Sequence, residues 1–133
     1  MTDTSNLSPD LRYYNIDPLE LKQGWEAGTI ILVDIREEEE ILQGTLQKTL
    51  FVPLSKIKQL TSMGINPVVA MKLPSNEKKM LLYCAGGRRV IEAAQLLKPY
   101  YSQVFPIRWG YSDLMNFGFS KRNFLHNNPT NNI

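Results

Sequence analysis

Apolar residues fall along this chain in two patterns, short unbroken runs and segments where they recur every three or four positions. Ile30-Ile31-Leu32-Val33, Leu50-Phe51-Val52, Met80-Leu81-Leu82-Tyr83 and Val104-Phe105-Pro106-Ile107 are the runs. Runs this short suit strands buried on both faces, as in parallel sheets. Between them, Asp17-Pro18-Leu19-Glu20 combines an N-cap residue, a proline at the first helical position and a glutamate placed for a capping box. That pattern predicts a helix to about Ala27, stopped at Gly28. Ser55 reads as the cap of a short helix through Thr61. Val90, Ala94 and Leu97 share one face of a helix running to Lys98 and closed by Pro99, and Tyr111 to Phe117 reads as a last helix ended by Gly118.

Met63 to Lys78 is broken by Gly64, Pro67 and Pro74 around Val68-Val69-Ala70-Met71. It reads as a surface loop, or else as a helix extension that touches a partner. Strands alternating with helices through short connections predict an α/β fold, a mainly parallel sheet with helices on both faces. The expected domain is 13–120, with polar, frayed tails at 1–12 and 121–133.

Composition narrows the chemistry. The 133 residues suit one domain, and they include one cysteine, Cys84, and one histidine, His126, which stands in the Asn-rich tail. A lone thiol excludes an internal disulfide framework, a dithiol redox pair and a Cys-cluster zinc site. With a single histidine as well, no protein-built transition-metal site and no cofactor is expected. The first ten residues lack the basic and apolar regions of a secretory signal, and no apolar run approaches a membrane span. The expectation is a cytoplasmic protein with no membrane partner.

The net charge of +2 is unevenly spread: residues 1–66 carry 6 Lys/Arg against 10 Asp/Glu, and residues 67–133 carry 9 against 3. No run of basic residues interleaved with aromatics accompanies the basic half, so a small anion is a more economical partner than nucleic acid.

Cys84 ends a buried run and is followed by Ala85-Gly86-Gly87-Arg88-Arg89 and a helix start. In an open parallel sheet, function gathers at the carboxyl ends of strands. Glycines there allow a tight curl whose N–H groups point inward as an anion nest. A helix N-terminus and two arginines add positive charge, and together these favour thiolate over thiol. A small buried hydrophobe in an ordinary strand-to-helix turn is the plainer reading of Cys84. Cysteine phosphatases need five residues between cysteine and arginine; here Arg89 arrives one position early, giving a cradle better suited to the outer sulfur of a persulfide than to a phosphoryl group.

At these residues the sequence resembles the rhodanese family of single-domain thiosulfate sulfurtransferases. The family loop Cys-x-x-Gly-x-Arg is matched by Cys84, Gly87 and Arg89, and an Asp-x-Arg-x-x-x-Glu stretch by Asp34, Arg36 and Glu40. Gly44 to Thr49 follows the Gly-His-Ile-Pro-Gly-Ala segment with Thr45 at the histidine, and Trp109-Gly110 follows a later Gly-Gly pair. Val90 stands where a hydroxyl residue is usual, and Leu114 where the last helix has tryptophan. The resemblance runs from about Tyr13 to Ser120 and implies a rhodanese-like domain with a five-stranded sheet. It implies that Cys84 takes a sulfane sulfur from thiosulfate or a related small anionic donor and passes it to an acceptor thiol, a partner protein or another thiophile. Ala85 to Arg89 would form the persulfide loop, and Asp34, Arg36 and Glu40 would support it, with Glu40 as a partner of Arg36. The alternatives are a non-catalytic binding or regulatory module and, less compatible with the loop length, a cysteine phosphatase or arsenate reductase.

Other residues invite simpler readings. Glu37 to Glu40 is expected to be a solvated face, His126 to have no catalytic role, and Trp25 to lie in the core. Trp109 and Tyr111 are expected beside the loop, walling a pocket or packing.

Overall fold

The computed structural model describes residues 12–74 and 77–122. His126 and most of both tails lie outside the described residues. Helix α1 (Pro18–Ala27) begins as its sequence predicts: Asp17 Oδ1 accepts the Glu20 N–H at 2.8 Å, and Gly28 ends it in the left-handed region at φ 77°. Next come strand β1 (Ile30–Asp34), the single turn α2 (Glu38–Ile41), and strands β2 (Thr45–Leu46) and β3 (Thr49–Phe51). Helix α3 (Leu54–Ser62) and the turn α4 (Pro67–Ala70) lead to strand β4 (Lys79–Tyr83), followed by helix α5 (Arg89–Leu97), strand β5 (Val104–Pro106), helix α6 (Tyr111–Asn116) and strand β6 (Lys121–Arg122).

The main sheet is parallel with strand order β3-β1-β4-β5; β2 and β6 form a separate antiparallel pair. The α/β class is as expected, and among the described residues the main sheet has four strands where five were expected. At the outer edge of β5 the segment entering α1 contributes one backbone bond, Tyr14 N–H to Pro106 C=O at 2.8 Å, too little for a strand. The order also sets the location of function. The chain leaves β1 for one side of the sheet and β4 for the other, so β1 and β4 flank a switch point with a crevice at their carboxyl ends.

Side chains alternate between two apolar layers, as a strand's two-residue period requires. Val33, Ile35, Met80, Leu82 and Cys84 face α3 and α5; Leu32, Leu81 and Tyr83 face α1 and α6. Trp25 lies in the second layer as expected, and its indole N–H donates to the Gln47 carbonyl at 2.8 Å.

Two local expectations change. Ser55 is not the cap of its helix. It lies inside α3, where its N–H and hydroxyl donate to the Glu37 carboxylate at 3.1 and 2.5 Å, so a negative group from the preceding connection caps the helix. Within Met63–Lys78, Asn66 accepts the N–H groups of Val68 and Val69 and starts a helical turn. Val68, Met71 and Leu73 pack on the core, while Met63 and Val69 are exposed. Lys121 and Arg122, just beyond the expected domain end, pair with β2.

Candidate active site

Cys84 lies at the carboxyl end of β4, beside the switch point, and is 1% exposed. Being two residues from Leu82, it points to the α5 side of the sheet. Tyr83, one residue earlier, points to the other side. The strand end therefore sends its sulfur and its phenol into different environments.

The loop after Cys84 curls back on the sulfur. The Gly87 N–H donates to Cys84 Sγ at 3.1 Å, and Gly87 has φ 83°, a conformation glycine adopts without strain. A Cβ at Gly87 would stand 2.5 Å from the Arg108 carbonyl oxygen. On the facing segment, a Cβ at Gly110 would overlap the Ala85 carbonyl, and the Tyr111 N–H donates to the Cys84 carbonyl at 2.8 Å. Backbone thus lies directly on backbone. Gly86 is different: its φ is not positive, and a Cβ there would meet nothing within 4 Å. Of the two loop glycines, only Gly87 is needed for the curl.

Arg89 opens α5 and holds Glu40 through two parallel bonds, Nη1 to Oε1 at 2.8 Å and Nη2 to Oε2 at 2.9 Å. The Arg89 hydrogen bonds hold the Glu40 carboxyl down at about 2 from the usual 4.5, against the opposing effect of burial. The Glu40 carboxylate raises the Arg89 guanidinium against the opposing effect of burial, and Cys84 adds a smaller effect in the same direction. The expected pairing of Glu40 with Arg36 is corrected here. Arg36 is bonded to Asp34 instead, and Glu40 acts on it only through its charge, without a hydrogen bond. Arg88 is exposed at the start of the helix, as are Ala85 and Gly86.

Arg36 and Asp34 form their own buried pair on the Tyr83 side, 5% and 0% exposed. Asp34 Oδ2 accepts from Arg36 Nη2 at 2.9 Å and from the Thr45 hydroxyl at 2.7 Å; Oδ1 accepts the Arg36 N–H and Nε–H, both at 3.0 Å. Arg36 Nη2 also donates to the Gly44 carbonyl at 2.8 Å, and the guanidinium lies 4.1 Å from the centre of the Tyr111 ring. The Thr45 and Tyr83 hydroxyls are 3.1 Å apart. Burial, together with the Asp34 charge, raises the Tyr83 hydroxyl well above ordinary phenols and keeps it a proton donor. A buried ion pair survives when its remaining donors and acceptors are satisfied, and this one is.

Sequence reasoning did not find Tyr83 or Thr45 as members of this network, nor Tyr13, whose hydroxyl donates to the Gly87 carbonyl at 2.8 Å. The alternation of β4 was the available signal for Tyr83; nothing local marked Tyr13. The four glutamates divide, with Glu38 and Glu39 exposed as expected while Glu37 and Glu40 are half-buried and bonded. Trp109 packs edge-on to Phe117 and lines a groove of about 460 Å³ with Tyr13 to Pro18 and Arg108, a groove that contains none of the residues 84–89, while Tyr111 packs under the Arg36 guanidinium. Among the described residues no cluster of three or more potential metal ligands occurs.

Residues 17–116 match the rhodanese-like domain, and the chain belongs to that family. A curated relative from Schizosaccharomyces pombe, named "Putative thiosulfate sulfurtransferase, mitochondrial", is 26% identical over 90 residues, which are 65% of this chain and 57% of the relative. The chain therefore spans little more than half that relative's length. Among solved structures, the BH2092 protein from Bacillus halodurans superposes with a TM-score of 0.67 at 21% identity, covering 91% of this chain and 84% of that one. The human single-domain sulfurtransferase TSTD1 gives 0.60 at 24%, covering 74% and 91%. A rhodanese-related protein from Thermoplasma volcanium gives 0.64 at 19%, covering 84% and 99%. These likenesses establish the shared fold.

Two outcomes are expected at the site. Gly110→Ala should lower stability by about 1–3 kcal/mol, because its neighbour is backbone that cannot swing aside, whereas Gly86→Ala should stay within about 0.5 kcal/mol of wild type. Urea midpoints for the two variants check this, and equal midpoints would contradict it. The second concerns Glu40, whose lowered carboxyl makes the Arg89 pair fully effective above about pH 4.5 and lost as the pH falls through about 2. Its half-exposed setting limits the effect to about 1 kcal/mol. The stability gap between wild type and Glu40→Gln should therefore be constant near neutral pH and shrink on acidification below about pH 4.5. A gap independent of pH would refute the pairing.

Proposed function

We propose that the protein is a sulfurtransferase in which Cys84 carries a sulfane sulfur as a persulfide. The observation that supports this most directly is the Gly87 N–H held on Cys84 Sγ, at a strand end with Arg89 close by. The Cys84 thiolate attacks the outer sulfur of thiosulfate or a similar anionic donor. An Sγ–S bond forms, the S–S bond of the donor breaks, and its electron pair leaves with sulfite. An acceptor such as cyanide or a thiolate then attacks the outer sulfur, and the Sγ–S bond breaks to return the Cys84 thiolate. No net oxidant or reductant is needed.

Each part of the loop takes a task. Exposed Arg88 draws the anion in, and the Gly87 N–H and the Arg89 charge stabilise negative charge on sulfur. Glu40 fixes the orientation of Arg89, and Asp34, Arg36, Thr45 and Tyr83 brace the neighbouring strand ends from the other side. The Schizosaccharomyces pombe relative carries thiosulfate sulfurtransferase in its name, which agrees with this reading.

A second reading, a binding or regulatory module that senses sulfur anions without turnover, is favoured by one observation: the Arg89 guanidinium is already paired bidentately with the Glu40 carboxylate, which matches part of its charge. Sulfur transfer from thiosulfate to cyanide by purified protein decides between them, with Cys84→Ser alongside. Turnover that falls to background in Cys84→Ser is expected. Turnover that survives the substitution would overturn the mechanism, and none in the folded wild type would favour the module.

A further inference from the structure

We propose that Tyr13, which lies ahead of the matched domain, is a positioning residue for the reactive loop; this rests on the sulfurtransferase reading above. Its hydroxyl donates to the Gly87 carbonyl at 2.8 Å across 74 residues of sequence. The Gly87 N–H in turn donates to Cys84 Sγ at 3.1 Å. Gly87 is therefore held at both ends, its N–H on the sulfur and its C=O on a phenol from another part of the chain.

The peptide joining Gly87 to Arg88 is trans and planar, so its C=O and N–H point in opposite directions. With the carbonyl held on Tyr13, the Arg88 N–H points away from the phenol, across the same peptide plane. Successive N–H groups on one side of such a curl make an anion-binding concavity. Without the phenol, the Gly87–Arg88 peptide loses the bond that fixes its carbonyl, and a glycine at positive φ limits that peptide's tilt less than any other residue would. Tyr13 is itself held in place. The next residue donates its N–H to the Pro106 carbonyl, and the Tyr14 ring stacks on Phe105 at 4.6 Å. The segment before α1 thus fastens to the outer edge of β5 and reaches back to the loop. The brace acts on the charged sulfur, not on capture of the donor, which is left to Arg88.

The test is Tyr13→Phe, which keeps the ring and removes only the hydroxyl, with Tyr14→Phe as a control for docking of the same segment. One hydrogen bond corresponds to about a fivefold effect. In Tyr13→Phe, kcat for thiosulfate should fall about fivefold with KM within about twofold. Amide exchange at Gly87 and Arg88 should quicken about fivefold, while amides of β1 and β4 are unchanged. Exchange at Gly87 and Arg88 equal to wild type would overturn the proposal, as would the same quickening in Tyr14→Phe. So would a loss confined to KM. If the wild type transfers no sulfur, the exchange comparison still decides whether Tyr13 braces the loop, and only the sulfurtransferase reading falls.

Discussion

The site rests on a close approach of backbone to backbone at the carboxyl end of the sheet. Gly87 lies on the Arg108 carbonyl, Gly110 lies on the Ala85 carbonyl, and the Tyr111 N–H holds the Cys84 carbonyl. No side chain fits between the two segments at these points. The segment after β5 therefore moulds the segment after β4, and the Gly87 N–H turns onto the sulfur. Interiors packed this closely do not deform smoothly, so the loop has a defined shape before any anion arrives. Such preorganisation suits a site that must stabilise charge on sulfur without rearranging as it forms.

The charges are arranged in two sets, separated by the alternation of β4. On the Tyr83 side, Asp34 and Arg36 neutralise each other in a buried and fully bonded network that ties β1, β2 and β4 together. On the Cys84 side, Arg89 and Glu40 form a half-buried pair that joins α2 to the start of α5. The first set costs desolvation and returns rigidity; removing one partner would leave an uncompensated charge in the core. The second is more exposed, and its value lies in fixing where a guanidinium stands relative to the sulfur. Three of these four residues come from the same Asp-x-Arg-x-x-x-Glu stretch, which leaves β1 with Asp34 and Arg36 on the Tyr83 side and Glu40 on the Cys84 side.

Much of this was legible in the chain. The four apolar runs are the four strands of the main sheet, although β3, at its edge, is half-exposed with Phe51 at the surface; the Asp17 cap and the Gly28 stop delimit α1, and Cys84 falls at a strand end before a helix. What was not legible depends on partners far apart in sequence. Glu40 could be matched to Arg36 by proximity along the chain, but only the fold carries it to Arg89, 49 positions away. Ser55 has the chemistry of a cap, yet the Glu37 carboxylate reaches the helix end first and with a full charge. Gly86 and Gly87 look equivalent as letters, and only the conformation and the carbonyl of Arg108 distinguish them. Thr45, at the histidine position of the resembled segment, donates its hydroxyl to Asp34, a partner that its place in the sequence does not reveal.

The central claim is that Cys84 accepts a sulfur atom and holds it. The most direct measurement is the intact mass of the native protein after incubation with thiosulfate and no reductant, followed by mapping of the modified peptide. The account predicts a gain of one sulfur atom, located on Cys84 and removed by cyanide. An unmodified Cys84 that still reacts with an alkylating reagent would contradict it, because the thiol would then be present and accessible yet unable to take sulfur from the donor.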